Sequence, residues 1–183
     1  MPRPVRNLLV TGGAGFIGVN FIRWLFDQPD APARIVNFDK LTYAGNPLSL
    51  LDLAEKAGDR YVFVKADICD AAAVQNAIET YEIDAIAHFA AESHVDRSIA
   101  DANDFVMTGV MGVRVLLDTA RSLKIGRFVQ IGTDEVYGSI EGAAVSENVP
   151  LNPSSPYSAA KAAGDLLALA YFKTHGLPVV VTR

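Results

Sequence analysis

The chain has 183 residues, half of them hydrophobic, with a formal net charge of −5 and a single cysteine. That composition suits one domain with a full core, and an acidic balance without a Lys/Arg cluster excludes a general nucleic-acid binder. A lone Cys69 makes no internal disulfide, the N-terminus lacks a secretory pattern, and no apolar run approaches the roughly 20 residues that span a bilayer; a cytoplasmic protein without membrane contact is expected.

In chain order, a β-rich run at 7–10 leads through a glycine-rich turn into an apolar-periodic helix at 16–26. A strand at 34–38, a weaker helical pattern at 48–56, a strand at 61–65, a helix at 71–81 and a strand at 85–89 follow. A long helix at 104–123, a strand at 128–131, a helix at 157–174 and a last strand at 179–181 complete the series. This alternation predicts an α/β fold, a Rossmann-type doubly wound parallel sheet of about six strands with helices on both faces. Residues 141–155 are rich in turn formers and are expected to form a surface loop beside a site. The chain stops just after its sixth strand with no closing helix, so residues 1–183 are expected to be one domain of something longer.

The first strand runs straight into Gly12-Gly13-Ala14-Gly15-Phe16-Ile17-Gly18, which fits the glycine spacing of dinucleotide loops. Such glycines turn the chain tightly and let the backbone approach a pyrophosphate, whose charge meets the free N–H groups opening the next helix. A glycine turn by itself is only a strand-to-helix connection. Its context decides: about twenty residues on, Asp39 ends the second strand, where a carboxylate accepts from a ribose 2′-hydroxyl and repels a 2′-phosphate. NAD is therefore expected over NADP, although the charge of Lys40 works the other way.

Two further clusters carry chemistry. Tyr157 and Lys161 stand four apart at the start of a helix and so share a face; a nearby ammonium and a bound nicotinamide cation would favour the phenolate and make Tyr157 a base. Beyond the fifth strand, at the edge where such sheets bind ligands, stand Thr133, Asp134 and Glu135. Adjacent carboxyls in different environments can serve as acid and base, which elimination of water requires; alone, the pair reads equally as a solvated turn. No metal site is expected.

Together these residues resemble the extended short-chain dehydrogenase/reductase superfamily, and within it the nucleotide-sugar 4,6-dehydratases of the dTDP-glucose type. The resemblance spans nearly the whole chain and is carried, beyond the glycine loop, by the stretches 39–46, 66–68, 88–98 and 133–138. It implies bound NAD, with Phe16 and Ile17 over the pyrophosphate, Gly12, Gly15 and Gly18 beneath it, and Asp39, Lys40, Leu41 and Thr42 at the adenosine. Asp67 and Ile68 would meet the adenine, and Phe89, Ala90, Ala91 and Thr108 would line the nicotinamide side. It implies Tyr157 as the base for oxidation at C4 of the sugar, Lys161 as its electrostatic partner, and Thr133 and Ser93 as substrate contacts. Asp134 would protonate the departing C6 hydroxyl and Glu135 would remove the C5 proton, with the borrowed hydride returned to C6 to give a 4-keto-6-deoxy sugar. His94 gains no chemical step and is read as a hydrogen-bonded structural residue. The helices at 104–123 and 157–174 correspond to those that pair subunits, which implies a homodimer.

Three departures from the family pattern stand out. Gly109 replaces an asparagine and Gly132 a serine, each removing a hydrogen-bonding side chain, and the family continues for over a hundred residues past the sixth strand with the domain that grips the substrate's nucleotide. Two rival readings stay open. A sugar-nucleotide 4-epimerase shares the tyrosine and lysine but needs no acid and base pair, and a non-catalytic NAD-binding module needs neither; a GDP-mannose dehydratase is expected to carry a different sequence around the pair.

Overall fold

The computed structural model describes residues 4–142 and 144–183. Six strands, β1 (Asn7–Thr11), β2 (Arg34–Asp39), β3 (Tyr61–Lys65), β4 (Ala85–His88), β5 (Arg127–Ile131) and β6 (Val179–Thr182), form one sheet. Its order is β3-β2-β1-β4-β5-β6, and every pairing is parallel. The chain winds outward from β1 to β3, then crosses to β4 on the other side of β1. That crossover opens a crevice at the carboxyl ends of β1 and β4, where ligands of such sheets bind.

Alternation along the strands assigns the two faces. Leu9, Val36, Ile86 and Phe128 point into a core shared with α3 (Ala71–Thr80), α6 (Val113–Ser122) and α7 (Pro156–His175). Leu8, Val10, Ile35 and Ala87 point the opposite way, against α1 (Phe16–Phe26) and α2 (Leu51–Ala57). Strands buried on both faces read as continuous apolar runs, which is why they were visible in the sequence.

Two elements differ from expectation. The helix at 104–123 is continuous but composite: α5 (Asn103–Val106), a π-helical turn over Met107–Gly112, then α6. A Cβ on Gly112 would lie 2.5 Å from Ile68 Cδ1, so the helix packs closely there and a larger residue would have to displace the Ile68 side chain. A short helix, α4 (Val95–Ala100), was not expected, because its five-residue pattern Val95, Asp96, Arg97, Ser98, Ile99 carries no sustained period. The weak pattern at 48–56 is a 3-10 turn, Pro47–Leu50, continued by α2. Within the loop at 141–155 the described residues form no helix or strand, and the loop is tied beside the Asp134–Tyr137 turn, the Asn152 N–H donating to the Val136 carbonyl. Among the described residues no helix is long and apolar enough to cross a membrane.

Candidate dinucleotide and catalytic site

A groove of about 350 Å³ lies along the carboxyl edge of the sheet. The glycine loop forms its middle, because β1 is central. Gly12 adopts φ +69°, and a Cβ there would sit 2.5 Å from Ala90 N, so only glycine lets the loop pass beneath the end of β4. Helix α1 starts at Gly15 with no side-chain cap, leaving its first N–H groups unclaimed by side chains. Phe16 and Ile17, beside them, are exposed.

The expected cofactor residues converge on this groove. Gly12, Gly15, Phe16, Ile17 and Gly18 line it centrally; Asp39, Lys40, Thr42, Asp67 and Ile68 line the side of β2 and β3; Phe89, Ala90, Ala91, Ser93, Thr108, Tyr157 and Lys161 line the side of β4 and β5. Leu41 does not reach the lining. It takes φ 60° and turns the loop, its N–H donating to Asp39 Oδ1 at 2.8 Å. Asp39 Oδ2 accepts from Ala14 N–H at 3.0 Å, so one carboxylate braces both loops and keeps lone pairs for a hydroxyl. The charge of Lys40 is answered by Asp67, 3.4 Å away. Partial burial works against ionisation of Asp67, but the Cys69 N–H and Lys40 outweigh it and hold the carboxyl below its ordinary value.

Buried Thr108 presents an Oγ1 with no hydrogen-bond partner among the described residues. A buried hydroxyl left unpaired on a groove wall fits a polar ligand group. With the groove running along the glycine loop and the remaining capacity of Asp39, it makes the groove fit a dinucleotide. Ala44, Gly45, Glu92, Ile131 and Gly132 also line it. Ala44, Gly45, Ile131 and Gly132 were missed because they contribute backbone or non-titrating surface, and Glu92 because it belongs to no dinucleotide spacing; their adjacency to motif residues was the available signal.

Helix α7 begins with a capping box, Ser155 and Ser158 each satisfying the other's backbone N–H, and Pro156 in the first turn. That rigid start fixes Tyr157 and Lys161. The expected phenolate depends on a bound nicotinamide cation; in the chain itself burial pushes the Tyr157 pKa up, the Thr133 hydroxyl pulls it back, and the Glu135 and Asp134 carboxylates push it up further. The Lys161 ammonium is turned instead to the Ile131 carbonyl, and its own pKa is lowered by burial, against the attraction of Asp165.

Thr133, Asp134 and Glu135 lie just outside the groove lining. Thr133 caps a 3-10 turn, Asp134–Tyr137, by accepting from the Glu135 N–H at 3.3 Å. Asp134 and Glu135 are exposed, whereas Val136 and Tyr137 are buried and anchor the turn. The separate environments expected of the two carboxyls are not visible in their burial. Their effect on Tyr157 still brings acid pair and phenol into one electrostatic neighbourhood.

Beneath this neighbourhood lies a network that sequence reasoning missed. Asp165 is fully buried and accepts from Arg183 Nε at 2.9 Å, and Arg183 Nη1 donates to the Tyr137 hydroxyl at 3.1 Å. A Cβ on Gly132 would lie 3.0 Å from Asp165 Oδ2 and 2.5 Å from the Thr182 carbonyl oxygen. At the other departure, a Cβ on Gly109 would lie 3.2 Å from Ala160 Cβ. Both glycines thus mark close packing around α7. His94 differs from expectation as well: its ring packs at a tilt against Tyr43 with centroids 5.5 Å apart, and its backbone is held at φ 85°.

A family model described as GDP-mannose 4,6 dehydratase matches residues 9–183. The dTDP-glucose 4,6-dehydratase of Streptomyces niveus is 52% identical over 180 residues, covering 97% of this chain and 52% of that protein. Among solved structures, the dTDP-glucose 4,6-dehydratase of Streptomyces venezuelae, described with NAD bound, superposes with a TM-score of 0.91 at 50% identity, covering 97% of this chain and 55% of that one. The corresponding enzyme of Bacillus anthracis, in complex with NAD, gives a TM-score of 0.86 at 40% identity, covering 97% and 54%. The chain thus spans about half the length of the relatives it matches.

Proposed function

Because the chain belongs to the GDP-mannose 4,6 dehydratase family, we propose that it is the NAD-binding domain of a dTDP-glucose 4,6-dehydratase, a hydro-lyase of deoxysugar biosynthesis. The observation that carries this reading is the junction of a dinucleotide-fitting groove with Tyr157 and Lys161 on one side and the Thr133-Asp134-Glu135 turn beside it. The names of relatives at 46% to 52% identity support dTDP-glucose, rather than GDP-mannose, as the substrate.

In this reading Asp39 and Thr42 hold the adenosine, the glycine loop and the start of α1 the pyrophosphate, and Thr108 the nicotinamide side. The pairing of Lys40 with Asp67 supports NAD over its 2′-phosphate, since it leaves less positive charge to receive one. Bound NAD supplies a hydride acceptor and a positively charged ring near the phenol. Tyr157 takes the proton from the C4 hydroxyl while Thr133 orients the sugar. Burial raises the Tyr157 pKa in the chain itself, so positive charge is needed before the phenol can act as a base at neutral pH. Lys161 contributes part of that charge. Glu135 then removes the C5 proton, made acidic by the C4 ketone, and Asp134 protonates the departing C6 hydroxyl; the exposure of both leaves them free to meet a substrate arriving from solvent.

Exposed Val106, Met107 and Met111, with Leu166 and Phe172 on α7, support assembly as a homodimer through the helices at 104–123 and 157–174. The lone thiol, Cys69, supports a cytoplasmic setting. The test of the catalytic reading is Glu135→Gln in the complete protein with dTDP-glucose. Formation of the 4-keto-6-deoxy sugar should be lost while NAD stays bound, and undiminished turnover would remove Glu135 from its role. An epimerase needs no such pair, so continued interconversion at C4 by the variant would favour that alternative.

A further inference from the structure

The loop after β2 and the loop after β4 form opposite walls of the groove: Thr42, Ala44 and Gly45 stand on one, Ala91, Glu92 and Ser93 on the other. In the sheet β1 lies between β2 and β4, so these loops stand on either side of the glycine loop, and a contact between them joins the two sides of the groove at its rim, where Tyr43 lines a neighbouring cavity with Glu92 and Arg97. Tyr43 makes that contact. Its hydroxyl lies 3.3 Å from both the carbonyl oxygen and the Oγ of Ser93, fifty residues away. The phenol is held further by the Arg97 guanidinium, 4.1 Å from its centroid, and by the tilted His94 ring at 5.5 Å.

Both loops are firmly rooted. Asp39 Oδ1 takes the Leu41 N–H, and the Asn46 N–H donates to the Ala14 carbonyl at 2.9 Å; opposite, the Ala90 N–H donates to Thr11 Oγ1 at 3.3 Å. The chain has four non-glycine residues at positive φ among those described, and two of them, Leu41 and His94, lie in these two loops. Side chains accept such a conformation only where the surroundings impose it. Tyr43 itself is about half exposed, so it supports no core. Its contacts are spent on joining the two walls.

We infer that Tyr43 is a latch across the dinucleotide groove, which must part from Ser93 for NAD to enter or leave. The inference rests on the dinucleotide reading of the groove, and it gives a physical reason for a cofactor that is retained through turnover. A latch differs from an ordinary contact in its kinetics. Loss of a contact speeds release alone, whereas loss of a latch speeds both entry and release, so the rates rise together and affinity changes less.

The test is stopped-flow binding of NADH to the 183-residue chain, followed by its fluorescence, with release measured by displacement with excess NAD. Tyr43→Ala should raise both rate constants roughly tenfold, the combined scale of a hydrogen bond and a cation–π contact. Arg97→Met, which keeps the hydroxyl bond, should raise both by a smaller factor. Circular dichroism checks that each variant is folded, as the exposure of Tyr43 predicts. Faster release with unchanged entry makes Tyr43 an ordinary contact and overturns the latch, as do two unchanged rates. A wild-type chain that takes up no NADH overturns the dinucleotide reading, and the latch with it.

Discussion

Removing Asp165 tests how the turn bearing Asp134 and Glu135 is held. The carboxylate is 0% exposed and the Arg183 side chain 11% exposed, with 2.9 Å between Oδ2 and Nε. Burial raises the Asp165 pKa despite the opposing pull of Arg183 and Lys161, so ionising it inside the protein costs more than its partners return. Asp165→Ala leaves Arg183 buried without its counter-charge, a loss of roughly 3–5 kcal/mol, or roughly 6–20 °C in Tm for a domain of this size. Arg183→Met strands Asp165 in the same way. The double variant Asp165→Leu/Arg183→Met removes both charges and should lose far less than the sum of the singles. Thermal unfolding of the four proteins, followed by circular dichroism, gives the cycle directly. Additive losses, or an Asp165→Ala midpoint within 2 °C of the parent on the roughly 2–4 °C per kcal/mol scale, would refute the coupling.

Two further outcomes follow from the same region. His88 is buried against Thr11, 2.6 Å from its hydroxyl, and burial, with a smaller contribution from Lys161, lowers its pKa to about 3. Since that lies below the unfolded value of 6.5, its stabilising contribution is complete above pH 6.5 and is lost as pH falls towards 3. Between pH 6.5 and 5 this amounts to roughly 2 kcal/mol, so urea midpoints of His88→Gln should fall less over that interval than the parent's; an equal fall would contradict the buried neutral imidazole. At Gly132, an added Cβ meets the Thr182 carbonyl at 2.5 Å, a backbone atom that moves only if β5 and β6 part. Gly132→Ala should lose roughly 1–3 kcal/mol, and Gly132→Ser less, because its hydroxyl can satisfy Asp165 Oδ1, which lacks a partner among the described residues. A serine variant less stable than the alanine one would contradict that geometry.

The strands and the glycine loop were legible because each depends on local properties: short apolar runs, the central ones buried on both faces, and a turn that needs φ +69° at Gly12. Tyr157 and Lys161 were legible because helical spacing alone brings them to one face. The π-helical turn was not, since it lies where Gly112 approaches Ile68, far away in sequence. Nor was the shift at Tyr157. Its direction depends on burial and on carboxylates brought near by a turn from another strand, whereas spacing showed only the lysine four residues on. The Tyr43 to Ser93 contact and the Asp165 to Arg183 pair share this character. Each joins loops or ends of elements by side chains that carry no motif.

That division bears on how such a site can change its chemistry. Tyr157, Lys161 and Asp165 lie four apart along α7 and share one face, and each meets something from the end of β5: the Thr133 hydroxyl, the Ile131 carbonyl and the space at Gly132. The register between α7 and β5 therefore sets Tyr157, Lys161 and the anchor of the turn bearing Asp134 and Glu135 together. Any substitution that shifts this register disturbs all three. Asp134 and Glu135, by contrast, sit exposed on a turn whose hold comes from Val136 and Tyr137 beneath. They can be exchanged without touching the core. In the proposed dehydratase, the residues assigned to oxidation at C4 thus lie in the part of the structure that tolerates least change and those assigned to the step that follows lie on a surface turn, which would let the acid pair discriminate dehydration from epimerisation on an otherwise common frame.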